Sequence, residues 1–63
     1  MENTKNGIEN PTSAEAYVNR GDKLYDQGDY QAAISDYDAA IHINPEHALA
    51  YNNRGNAKSQ LGK

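Results

Sequence analysis

Residues 14–29 read AEAYVNRGDKLYDQGD, and residues 48–63, 34 positions later, read ALAYNNRGNAKSQLGK. Seven of the sixteen aligned positions are identical: Ala14/Ala48, Ala16/Ala50, Tyr17/Tyr51, Asn19/Asn53, Arg20/Arg54, Gly21/Gly55 and Gly28/Gly62. At average residue usage, chance supplies roughly one match in such a stretch. The chain therefore carries a duplication with a 34-residue period, about one and a half copies long. A period of this size marks a repeated supersecondary unit whose apolar face is buried by its neighbours. The stop at Lys63 reads as a cut inside a longer array, because the first copy runs on past Gly28-Asp29 into a whole second segment.

The apolar spacing inside and between the copies is helical. Tyr17, Arg20, Gly21 and Leu24 recur at i, i+3, i+4 and i+7, which places them on one side of a helix expected over residues 13–27. Thr12-Ser13-Ala14-Glu15 fits a capping box, a hydroxyl followed three residues later by Glu. Gly28 suits the left-handed position that closes a helix, and Asp29 can cap the next one. A second helix is expected over 30–43, with Tyr30, Ala33, Ile34, Tyr37, Ala40 and Ile41 inward. Asn44-Pro45 ends it, since the residue before proline avoids helical dihedrals. A third is expected over 46–61 on a thinner stripe of Ala50, Tyr51, Ala57 and Leu61, with Arg54 between. Nothing alternates with period two, so the fold class is all-α. Gly21 and Gly55 sit mid-helix at one register. Glycine there costs about 1 kcal/mol relative to Ala, which implies a close helix contact at both. Residues 1–12 are polar and aperiodic and read as a disordered arm.

Composition narrows the function. At 63 residues the chain is at most one domain. Without cysteine it has neither disulfides nor thiol chemistry. Six basic against nine acidic residues give a net charge of −3, which argues against nucleic acid and anionic membrane as partners. No run of residues is apolar enough to span a bilayer, and no secretory leader is visible. The expected location is the cytoplasm.

The residues resemble the tetratricopeptide repeat family. That family's pattern sets a large aromatic, Leu-Gly, an aromatic, Ala, an aromatic, Ala and Pro at fixed spacing within a helix–turn–helix. Tyr17, Arg20-Gly21, Leu24, Ala33, Tyr37, Ala40 and Pro45 stand at those positions here, and Tyr51, Arg54-Gly55 and Lys58 restart the pattern. Arg20 and Arg54 replace the usual Leu, and Lys58 replaces an apolar residue. Both arginines can lay an aliphatic stem on apolar surface with the head in water.

The resemblance implies a stack of helix pairs with a groove lined by the first helix of each pair. The groove positions would be Glu15, Val18, Asn19, Asp22, Tyr25 and Asp26, then Leu49, Asn52, Asn53, Asn56 and Ser59. These fall opposite the stripe that meets the second helix. Asp22 and Asp26, four apart, are neighbours on that face. Three carboxylates with Tyr25 among them favour a basic peptide. Members that grip a C-terminal carboxylate use Lys and Asn on the first such helix and Asn on the second; here those positions hold Val18, Asp22 and Asn53, and only Asn53 fits.

Other chemistries find little support. His42 and His47 flank the Asn44-Pro45 break without the further ligands a metal needs. Asp22 and Asp26 lack the apolar surroundings that would raise a carboxylate's pKa for catalysis. Asp36 and Asp38, two apart, read as solvated charges. No cofactor-binding pattern is present. The chain reads as a non-catalytic protein-interaction module. The alternative is an assembly unit that self-associates through repeat stacking and binds no peptide. That alternative rests on charge as well: two bases face seven acids over residues 14–47, whereas residues 48–63 hold Arg54, Lys58 and Lys63 and no acid.

Overall fold

A computed structural model of the chain describes residues 13–63; the arm expected over residues 1–12 lies outside them. Three helices follow one another: α1 (Ala14–Asp26), α2 (Tyr30–Ile43) and α3 (Ala48–Leu61). There is no strand among the described residues. The central helix α2 packs on both others, while α1 and α3 touch only marginally.

The boundaries follow local chemistry. Ser13, not Thr12, supplies the cap of α1: its hydroxyl accepts from the Ala16 N–H at 3.1 Å. At the far end Gly28 takes φ +83°. There the Gly28 N–H donates to the Tyr25 carbonyl and the Asp29 N–H to the Leu24 carbonyl, both at 2.9 Å. This double closure satisfies carbonyls that the helix end would otherwise leave orphaned. Asp29 turns at once to capping α2, accepting from the Ala32 N–H at 3.3 Å. Asn44 leaves α2 in an extended conformation, as the residue before Pro45 must.

The third helix begins at Ala48, two residues later than the expected Glu46. Glu46 is held in a turn, where its N–H donates to Asn44 Oδ1 at 3.1 Å. His47 then caps α3 through Nδ1, which accepts from the Ala50 N–H at 3.3 Å. That bond requires the proton to sit on Nε2.

The core consists of Ala14, Val18, Ala33, Ile34, Tyr37, Ala40, Ala50 and Ala57, with Tyr17, Leu24, Tyr25, Tyr30 and Ile41 packed around it. Five of the eight are alanines, so the helix axes can run close together. The tightest approach is at Gly21, where a Cβ would lie 2.7 Å from Tyr37 Cε1 and 3.0 Å from Cδ1. Gly55 is different: a Cβ there would meet nothing within 4 Å, so no packing contact in this chain explains that glycine. Tyr51 and Leu61, expected to cover α2, are exposed instead, and Ala50 and Ala57 alone carry the α3 side of the contact.

The two glycines should answer oppositely to alanine. Gly21→Ala should destabilise by about 1–3 kcal/mol, the usual cost of overpacking, because the buried Tyr37 ring cannot step aside. Gly55→Ala should stabilise by about 0.5–1 kcal/mol through helix propensity. Urea titration of both variants checks the pair, and shifts of equal sign would contradict the packing described. Because Asp caps helices well, His47→Asp should raise the melting temperature, by the equivalent of about 0.5–1 kcal/mol. Thermal unfolding monitored by circular dichroism measures it.

Candidate functional site

A cleft of about 340 Å³ opens between α1 and α3, lined by Asp22, Tyr25, Asp26, Tyr37, Asn53 and Asn56. Helical spacing brings its walls together: Asp22, Tyr25 and Asp26 lie at i, i+3 and i+4 on α1, and Asn53 and Asn56 at i and i+3 on α3. The floor is Tyr37 of α2, whose side chain is 1% exposed yet reaches the cleft with its hydroxyl end.

One carboxylate oxygen joins all three helices. The Tyr37 hydroxyl donates to Asp22 Oδ1 at 2.6 Å, and Asn53 Nδ2 donates to the same oxygen at 2.9 Å. Asp22 is thus half-buried and engaged rather than a solvated charge on an open face. Burial, followed by the hydrogen bond to Asp22 and its negative charge, pushes the Tyr37 hydroxyl above its ordinary value. Tyr25 meets Tyr30 edge-on, with ring centroids 5.1 Å apart, and this contact fixes its ring as a wall of the cleft. Asp26 is exposed and makes no hydrogen bond to another described side chain.

The sequence-derived groove residues divide into three groups. Asp22, Tyr25, Asp26, Asn53 and Asn56 converge on the cleft. Glu15, Asn19, Leu49, Asn52 and Ser59 are exposed outside it. Val18 does not belong to an exposed face: at 2% exposure it is part of the core. A branched apolar side chain flanking the α1–α2 seam is drawn beneath the helix rather than left in water. Tyr37 was missed as a lining residue. Its stripe position indicated burial, but the reach of its hydroxyl past the core into the cleft was not readable from spacing.

The two arginines are more than snorkelling side chains. Arg20 donates from Nε and Nη2 to Asp36 at 2.7 and 2.9 Å while lying over the Tyr17 ring at 5.7 Å. Asp36, expected to be solvated, is 5% exposed and depends on this two-pronged partner. The hydrogen bond to Asp36 raises the Arg20 pKa. Arg54 lies over Tyr51 at 5.3 Å and donates from Nη1 to Asp38 at 2.6 Å, on the surface. No group of three or more His, Asp or Glu side chains that could hold a metal occurs among the described residues. Among those residues, too, no helix is long and apolar enough to cross a membrane.

Tyr37 carries a pH signature. Its pKa is raised on folding, so the folded state keeps the phenolic proton after the unfolded chain, near pH 10, has begun to lose it. The unfolded state then binds fewer protons, and this contribution to stability is present below about pH 10 and falls as pH rises through the interval. Tyr37→Phe should be less stable than the parent at pH 8 by about 1.5–3 kcal/mol, the range for a hydrogen bond to a charged group. The gap should narrow above about pH 10. Urea titrations at pH 8, 9.5 and 10.5 test it, and a gap that widens with pH would reverse the assignment.

Comparison with known proteins gives two findings. A family model described as TPR repeat matches residues 21–62. The Caenorhabditis elegans protein named Stress-induced-phosphoprotein 1 is 35% identical over 52 residues, which cover 82% of this chain and 16% of that protein. The chain therefore spans about a sixth of the length of this relative. No solved structure matches.

Proposed function

Since the chain belongs to the tetratricopeptide repeat family, whose members are typically non-catalytic protein-interaction modules, we propose that it binds a basic peptide or the basic face of a partner helix in the cleft between α1 and α3. The observation that carries this reading is the cleft itself, an open cavity of about 340 Å³ whose lining combines Asp22, Asp26, Asn53 and Asn56 with the ring of Tyr25. Each kind of side chain has a part. Asp26 is the accessible anion for a lysine or arginine head group. Asn56 supplies both an amide donor and an acceptor for a peptide backbone. The Tyr25 ring supplies a flat wall for an aliphatic stem or a cation. Asp22 has one oxygen committed to Tyr37 and Asn53, so it contributes a fixed negative charge. Glu15, Asn19, Leu49 and Asn52 extend the same face beyond the cleft and contact the flanks of a longer ligand.

Calorimetric titration with a panel of lysine-bearing and glutamate-bearing peptides is the direct test. Basic peptides should bind better, and Asp26→Asn should weaken them two- to fivefold, equivalent to about 0.4–1 kcal/mol for an exposed ion pair. Raising salt towards about 1 M, where the Debye length falls to roughly 3 Å, should weaken them further. Preference for acidic peptides, or affinity unchanged by Asp26→Asn, would refute the reading.

A further inference from the structure

The hydrogen bonds at the bottom of the cleft fix where its protons go. Tyr37 has one hydroxyl proton, and it is given to Asp22 Oδ1. Asn53 gives Nδ2 to the same oxygen. This decides how the amide is turned, because the reverse orientation would set the amide oxygen against a carboxylate oxygen. Two acceptors are left over: Asp22 Oδ2 and Asn53 Oδ1 have no partner among the described residues. Asp26 adds a carboxylate, which only accepts. Uncommitted donors remain on Asn56 and on the Tyr25 hydroxyl alone. The floor therefore accepts hydrogen bonds and does not donate them. Elsewhere the chain shows what completes such a set. Arg20 lies over Tyr17 and gives Nε and Nη2 to Asp36, and Arg54 lies over Tyr51 and gives Nη1 to Asp38. Twice, a guanidinium joins a tyrosine ring to a carboxylate of the neighbouring helix. The cleft has the Tyr25 ring and two carboxylates, and no basic side chain is among its lining residues.

We propose that the cleft selects an arginine side chain of its peptide ligand over a lysine, with the guanidinium fork on Asp22 Oδ2 and Asn53 Oδ1 and its plane over the Tyr25 ring. This rests on the reading of the cleft as a site for a basic ligand and narrows that ligand to one head group. At about 340 Å³ the cleft is near the small end of ligand pockets, which run from roughly 300 to 1,000 Å³. It has room for one side chain, and the rest of the peptide stays outside. The two spare acceptors belong to different helices and are tied together through one shared oxygen, so they form a fixed pair. A guanidinium presents five N–H donors in a rigid plane and serves such a pair at once, whereas an ammonium is a compact, strongly hydrated point charge. The flat guanidinium also stacks on an aromatic face. Asn53 is then a specificity-determining residue: its N–H group holds Asp22 in place, and its oxygen reads the fork. Methylation of the arginine keeps the charge but blocks the N–H pair, so the site rejects the modified side chain.

Three heptapeptides that differ only at the central residue, which is arginine, lysine or symmetrically dimethylated arginine, provide the test. Each is titrated into the isotope-labelled full chain, and affinity is read by NMR from the amide shifts of Asp22 to Asp26 and Asn53 to Asn56. The arginine peptide should bind about fivefold or more tightly than the lysine peptide. Dimethylation should cost about fivefold or more although the charge is unchanged. Asn53→Leu should bring the arginine-to-lysine ratio close to one. Asp26→Asn should weaken both peptides and leave the ratio as it was. Circular dichroism checks that the variants are folded; if Asn53→Leu is not, the dimethylated peptide still decides on the intact chain. Equal affinity for arginine and lysine, weakened by Asp26→Asn, would overturn the selectivity and leave the basic-peptide reading standing. Dimethylated arginine binding as tightly as arginine would also overturn it, and failure of all three peptides to bind would overturn both.

Discussion

The close approach of Gly21 to the Tyr37 ring is the constraint on which the rest of the molecule depends. With a hydrogen in place of a methyl group, α1 can come near enough for the ring to occupy the space a Cβ would need. The ring then fills the seam between α1 and α2, and its hydroxyl emerges on the far side beside Asp22. Asn53 arrives at the same oxygen from α3. The two outer helices meet only marginally, so this shared carboxylate is their principal polar link. If the ring moved outward, the hydroxyl would leave Asp22, and the floor and one wall of the cleft would shift together. Packing at a glycine and the shape of a binding surface are here one structural fact.

The arginine pairs show how context assigns different work to the same residue at the same register. Arg20 is itself exposed, but its fork closes on a carboxylate removed from water. Such an ion pair gains from its two parallel hydrogen bonds but carries the cost of desolvating Asp36. It is better regarded as fixing the rotation of α2 against α1 than as a large net source of stability. Arg54 is the less exposed of the two arginines, but its partner Asp38 stands in solvent, where screening and side-chain entropy leave little net gain. What the two share is the stack on a tyrosine three residues earlier, which is set by helical spacing alone and is found in both copies.

This difference explains which features could be read from the amino-acid order. The 34-residue period, the all-α class and the breaks at Gly28 and at Asn44-Pro45 depend on local dihedrals and spacing, so they were legible. The side chains that reach between helices were not. Asp36 and Asp38 differ by two positions and looked alike, yet a rotation of α2 of about 200° separates a buried ion pair from an exposed one. Val18 was assigned to an exposed face by family register and is in the core, because the groove edge and the α1–α2 seam lie side by side on α1. Residues 46–47 looked like the first turn of α3, but the asparagine turn at Asn44 and the cap by His47 postpone it. The emptiness above Gly55 was invisible as well, since its sequence surroundings match those of Gly21.

Charge completes the argument, because the two sides of α3 face opposite signs. The cleft presents Asp22 and Asp26, whereas the outer face of α3 presents Arg54 and Lys58 within a segment that has no acid. At physiological ionic strength charges are felt over roughly 8 Å, less than the 10–12 Å diameter of a helix with its side chains. Each surface is therefore largely screened from the other even though both involve α3. A cationic group is therefore favoured beside Asp26 and disfavoured beside Arg54 and Lys58, and an anionic group the reverse. Like-charge juxtaposition suppresses the wrong partner as effectively as attraction recruits the right one.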